Sequence, residues 1–178
     1  TARQKSSRGC LTLPTVIHVV DDDASFRAAI SRLLRKAGYE VMTYDSARQM
    51  LEKLPDENRP TCILLDVRIP GLTGPELQNR LAERGFTIPV IFLTGHGDIP
   101  TTVQTIKAGA EDFLTKPVTK EKLFAAIERA VTRHQATREQ RDRLGALRAL
   151  VATLTPRERE VFEHVVEGKM NKQIGHEL

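Results

Sequence analysis

The chain has 178 residues, 40% of them hydrophobic and 28% charged, with a formal net charge of +4. That is enough apolar matter for the core of one full domain of about 100–150 residues and a smaller unit beside it. No run of about 18 apolar residues occurs, which excludes a membrane-spanning helix, and the mild basic balance leans toward nucleic acid without deciding it.

Residues 1–14, TARQKSSRGCLTLP, lack the apolar stretch of a signal peptide. They are expected to be a disordered tail or a remnant of cloning. Cys10 lies in that tail and Cys62 in an apolar run. They show neither metal spacing nor an evident pairing, which predicts a reduced, cytoplasmic setting.

Apolar, β-branched runs then alternate with helical patterns. The predicted strands are Val16–Val20, Val41–Tyr44, Cys62–Leu65, Val90–Leu93 and Asp112–Thr115. Several are continuously apolar, as strands buried on both faces should be. Phe26, Ile30, Leu33 and Ala37 recur at helical spacing, and Gly38 closes that helix. Thr73-Gly-Pro-Glu76 is a capping box with Pro near the first helical position. Val103, Ile106 and Ala110 mark a fourth helix, and Leu123, Ile127, Ala130 and Val131 a fifth. This alternation predicts a (βα)5 doubly wound parallel sheet, covered by helices on both faces.

Neither Gly nor Pro occurs from Val118 to Leu144, so the fifth helix is expected to run into the charged linker RHQATREQRDRL. Leu144, Leu147, Val151 and Leu154 continue an amphipathic pattern. Thr155 and Glu158 form a second capping box around Pro156, Val161, Phe162, Val165 and Val166 make an apolar face, and Gly168 ends the helix. With Asn171 able to cap a following helix, this reads as the beginning of an all-α helix-turn-helix unit.

The polar residues that stand out fall at the carboxyl ends of the strands, where open parallel sheets carry their functional loops. Three aspartates follow the first strand in VIHVVDDDAS, Asp66 ends the third, Thr94 the fourth and Lys116 the fifth. Clustered carboxylates need a cation or must take up protons. An all-oxygen donor set suits a hard ion, Mg²⁺ before others. A metal there would gather phosphoryl oxygens, Asp66 would attack phosphorus, Lys116 would supply positive charge and Thr94 a hydrogen bond. Taken singly, each residue has a plainer reading: Asp23 as a helix cap, Asp66 as a turn residue, Lys116 as a surface lysine. Their joint placement argues for a site.

These residues resemble the receiver domain of bacterial two-component response regulators over about residues 15–134. The motifs are VVDDD, LLDVRIPGLTG, FLTGHGD and DFLTKP, in that order. LTPREREVFEHVVEGKMNKQIGHEL resembles the front of a LuxR-type helix-turn-helix, and the combination looks like the FixJ/NarL-type transcriptional regulators. The resemblance implies a flavodoxin-like receiver at 15–134, a linker helix at 135–153 and the first part of the helix-turn-helix domain at 154–178, without its recognition helix. It implies Asp66 as phosphoacceptor and Asp21, Asp22, Asp66 and the backbone carbonyl of Arg68 as ligands of Mg²⁺, with Mn²⁺ as a substitute. Thr94 and Lys116 would contact the phosphoryl group, a cis bond before Pro117 would aim the lysine, and Phe113 would be the aromatic switch.

Arg68 and His96, two residues beyond Asp66 and Thr94, are expected to tune the lifetime of the phosphorylated state. The partners implied are a cognate sensor histidine kinase, DNA for the full-length protein, and a second copy engaged through the fourth helix and fifth strand upon phosphorylation. No membrane partner is implied, and the protein is expected to be a regulator rather than an enzyme. The 178-residue form is not expected to recognise an operator. A haloacid-dehalogenase-type phosphatase would want an acid two residues after Asp66, where Arg68 stands. A dinucleotide fingerprint starting at Gly95-His96-Gly97 lacks its third glycine. A receiver that has lost phosphorylation would not need the intact set of acids, hydroxyl and lysine.

Overall fold

The computed structural model describes residues 14–95 and 110–169. The chain divides into two compact units, Thr1–Gln135 and Ala136–Leu178.

The described part of the first unit contains β1 (Val16–Val20), α1 (Ala24–Lys36), β2 (Glu40–Tyr44), α2 (Ala47–Glu52), β3 (Thr61–Asp66), α3 (Gly74–Glu83), β4 (Val90–Thr94) and β5 (Asp112–Thr115). Helix α4 follows at Lys120–Ala152. The strands form one sheet in the order β2-β1-β3-β4-β5, every neighbouring pair parallel. The chain order reverses its direction across the sheet between β1 and β3. That is where an open α/β sheet leaves a crevice at the strands' carboxyl ends.

Both faces of the sheet are covered, and alternation along the strands explains how. Ile17, Val19, Cys62, Leu64, Ile91 and Leu93 pack with Ile30 and Leu34 of α1 and Leu123 and Ile127 of α4. Their neighbours Val20, Ile63, Leu65, Val90 and Phe92 pack on the opposite side with Met50 of α2 and Leu77 and Leu81 of α3. A strand with apolar groups on both faces must read as a continuous apolar run, and all of β1, β3 and β4 is buried. Edge strand β2 is only partly covered instead, burying Val41 and Tyr44 and exposing Glu40, Met42 and Thr43.

The helix boundaries follow the expected chemistry. Asp23 caps α1 by accepting from the amides of Ser25 and Phe26, and Gly38 follows the helix with a φ of 94° that a side chain would disfavour. The capping box of Thr73 and Glu76 opens α3. The predicted fourth helix, with Val103 and Ile106, lies outside the described residues, as does the helix start at Asn171.

Helix α4 is continuous over its 33 residues. Its first part buries Leu123, Ala126, Ile127, Ala130 and His134 in the first unit. Within that part, His134 sits 2% exposed with Nδ1 3.4 Å from the amide of Thr61. In the second unit, α5 (Pro156–Val166) opens on the Thr155–Glu158 capping box with Pro156 in its first turn.

Candidate functional site

Asp21 directly follows β1, and its amide still donates to the Tyr44 carbonyl at 3.2 Å. Asp21 is fully buried, Asp22 exposed, and Asp66 at the end of β3 is 9% exposed. A carboxylate oxygen from each comes within 4.8 Å of the others. Strands β1 and β3 are adjacent and in register, which brings the two strand ends together.

Lys116 enters from the end of β5. Its amide donates to the carbonyl of Thr94 at 2.6 Å, and its peptide bond to Pro117 is cis. Its Nζ lies 2.5 Å from Asp21 Oδ2 and 2.5 Å from Asp66 Oδ2. The same ammonium stands 4.1 Å above the ring of Phe26, a favourable cation–π placement. Burial pushes the Asp21 carboxyl above its ordinary pKa, against the pull of Lys116 and the Asp23 amide. For Lys116, burial acts to lower the pKa, yet the bonds to Asp21 and Asp66 outweigh it and the value is raised. These two shifts differ in what they say of one ion pair. The lysine side chain retains 18% exposure and keeps its proton, while the wholly buried Asp21 bears the desolvation cost.

The remaining predicted residues divide clearly. Thr94 ends β4 beside Thr115 in the ladder and is 3% exposed. The Arg68 amide donates to Asp66 Oδ1 at 3.0 Å, holding the carboxylate in the crevice. Phe113 is half-buried and packs on the cluster that contains Leu65 and Phe92. His96 lies outside the described residues. Asp23, the third acid in the run, spends its side chain on the cap of α1, and the carboxylates that cluster are those of Asp21, Asp22 and Asp66.

Three supporting contacts were not legible in the sequence. Phe26 was a core position of α1 by its spacing, and its role under Lys116 depends on how α1 packs. Arg27 donates Nη1 to the carbonyl of Asp21 at 2.6 Å. Gly74 lets α3 start directly against the site. A Cβ there would stand 2.6 Å from the Asp66 carbonyl oxygen and 2.9 Å from Phe92 Cε1. The Gly-Pro pair inside the capping box is the one signal that hinted at a tight approach.

Comparison with known proteins agrees with this geometry. Residues 17–128 match the family model described as response regulator receiver domain. The chain is a two-component response regulator. Residues 152–178 match the model for bacterial regulatory proteins of the luxR family. This response regulator is 44% identical to Nodulation protein W of Bradyrhizobium diazoefficiens, over 92% of the chain and 71% of that relative. It is 41% identical to the response regulator protein TodT of Pseudomonas putida, over 92% and 72%. Among solved structures, the response regulator StyR superposes with a TM-score of 0.83 at 42% identity, covering 92% of this chain and 82% of that one. Full-length FixJ from B. japonicum gives 0.64 at 38% identity, covering 91% and 79%. The fold is thus the flavodoxin-like receiver, joined to a LuxR-type region, and the protein serves two-component control of transcription. No described helix is long and apolar enough to cross a membrane.

Proposed function

We propose that Asp66 accepts a phosphoryl group from the phosphohistidine of a cognate sensor kinase, and that the resulting acyl phosphate switches the LuxR-type output. The observation that carries this reading is the meeting of Asp21, Asp22, Asp66 and Lys116 at one strand-end crevice. In the transfer, a carboxylate oxygen of Asp66 forms a bond to phosphorus as the P–N bond breaks, and the electron pair leaves with the imidazole. Thr94 and Lys116 stand at the neighbouring strand ends to hold the transferred group, the lysine by charge and the threonine by a hydrogen bond.

The donor set fits Mg²⁺, and Mn²⁺ as a substitute: carboxylates of Asp21, Asp22 and Asp66 within reach of one another, with the carbonyl of Arg68 completing the protein ligands. When bound, the ion supplies positive charge for the incoming phosphoryl oxygens. Lys116 supplies it to Asp21 and Asp66 in the structure described here.

We assign 15–134 to the receiver, 135–153 to the linker helix and 154–178 to the LuxR-type unit. Phe113 acts as the aromatic switch through packing alone, since it lacks a phenolic hydroxyl. DNA is the target of the output, and phosphorylation promotes a homodimer through the fourth helix expected from the sequence and through β5, an edge strand of the sheet. The protein works in the cytoplasm as a regulator rather than an enzyme. Intact-mass spectrometry after incubation with acetyl phosphate tests the reading. One added phosphoryl group that requires Mg²⁺ and is lost in EDTA is expected; no gain at any Mg²⁺ concentration would refute it.

A further inference from the structure

Helix α1 carries Arg27, Ser31 and Arg35 at successive four-residue steps, which places them on one face. Alongside Ala28, Arg32 and Thr43 of β2 they line a groove of about 500 Å³ between the helix and the sheet edge. This volume falls in the range of small-molecule sites. No lining residue is acidic.

The electrostatics of the groove set it apart. Arg48, Arg59, Arg129 and Arg157 each pair with a carboxylate. In the groove, Arg27 and Arg35 bond, among the described residues, only to backbone carbonyls, of Asp21 and Val41. Arg32 has no hydrogen-bond or ion-pair partner among the described residues. Arg32 and Arg35 are exposed and Arg27 half-buried, so three guanidinium groups share a concave surface whose lining holds no negative side chain, a surface that attracts an anion.

Ser31 supplies an independent observation. It is 3% exposed, and its Oγ is a buried polar atom with no hydrogen-bond partner. A serine within a helix ordinarily bonds back to the preceding turn, and an unpaired buried hydroxyl is destabilising by about 1–3 kcal/mol. Ser31 is one of the residues that line the groove, and a turn about its Cα–Cβ bond would bring this hydroxyl to a ligand that enters there.

We propose that the α1–β2 groove binds a small phosphorylated molecule carrying at least two negative charges, held by Arg27, Arg32 and Arg35 and hydrogen-bonded by Ser31. The site is separate from the acidic crevice, whose aspartates would repel such a ligand. Arg27 joins the two, because the guanidinium that faces the groove also holds the Asp21 carbonyl.

Inorganic diphosphate is the probe, titrated into the ¹⁵N-labelled 178-residue protein without Mg²⁺, with sodium chloride holding ionic strength constant. Saturable shifts centred on the amides of Ala28, Ser31 and Thr43 are expected. Ser31→Ala should weaken binding about tenfold, as for loss of a hydrogen bond to a charged group, and Arg32→Ala about fivefold, as for an exposed charge. Ser31→Ala should fold normally, since its hydroxyl has no bond to lose. Shifts that rise linearly without saturation would mean an adventitious ion only. That result, saturable shifts centred on Lys116, or equal affinity in Ser31→Ala would each overturn the proposal.

Discussion

Lys116 Nζ and Asp66 Oδ2 are 2.5 Å apart, and Asp21 Oδ2 is equally close to the same ammonium. The lysine thus neutralises the carboxylates that the proposed metal would also hold, so the two cations compete for one negative cup. Lys116→Met should tighten Mg²⁺ binding by about tenfold, since the like-charge repulsion between lysine and metal disappears. The same variant should be less stable without metal, with Asp21 left buried and unpaired. Mg²⁺ titrations and urea unfolding check both, and unchanged Mg²⁺ affinity would contradict the competition.

Asp22 and Asp23 are neighbours with different work. Asp22→Ala should weaken Mg²⁺ binding while leaving stability nearly unchanged, because its exposed side chain clusters with the Asp21 and Asp66 carboxylates proposed to hold the ion. Asp23→Ala should do the reverse, costing about 1 kcal/mol through loss of the α1 cap. Equal loss of metal affinity in both would place the ion elsewhere.

Much of this was legible in the sequence because the chain marks it at the right scale. The continuous apolar runs of β1, β3 and β4 fixed buried parallel strands, and both capping boxes fell on true helix starts. The acids, Thr94 and Lys116 could be grouped because strand ends in such a sheet share one edge. Helix α2 escaped notice for a physical reason: its six residues bury only Ala47 and Met50, too few for a period to emerge. The contacts of Phe26, Arg27 and Gly74 depend on how α1 and α3 pack against the strand ends, which spacing along one element does not encode.

Gly74→Ala should be destabilising by about 1–3 kcal/mol, the range for overpacking a tight site. The added methyl meets the Asp66 backbone at 2.6 Å, and backbone gives way less readily than a side-chain tip. It should also slow phosphorylation of Asp66 by displacing the acceptor. Urea unfolding together with labelling rates checks this; wild-type values for both would show that α3 can retreat freely.

His18 carries the protein's clearest pH signature. Its Nδ1 meets the Tyr44 hydroxyl at 2.9 Å, and burial, reinforced by Arg59, lowers its pKa from 6.5 to about 4. Between those values the unfolded chain binds a proton that the folded one refuses. Stability is therefore complete above pH 6.5 and falls as pH drops toward 4, by about 3 kcal/mol. The urea midpoint should follow this curve in wild type and flatten over that window in His18→Gln.

Arg68→Ala and His96→Ala should alter the half-life of the acyl phosphate without abolishing its formation. Arg68 follows Asp66 closely enough for its amide to bond the carboxylate, so its side chain starts beside the path of an attacking water. Half-lives equal to wild type in both variants would remove them from hydrolysis.

The most direct test of the whole account is the location of the phosphoryl group. After labelling with acetyl phosphate and Mg²⁺, borohydride reduction converts an aspartyl phosphate to homoserine, and peptide mass spectrometry reads its position. Reduction at residue 66 alone, with no labelling of Asp66→Asn, is the predicted result. Labelling of Asp66→Asn at the wild-type level, or reduction at Asp21 or Asp22, would contradict it.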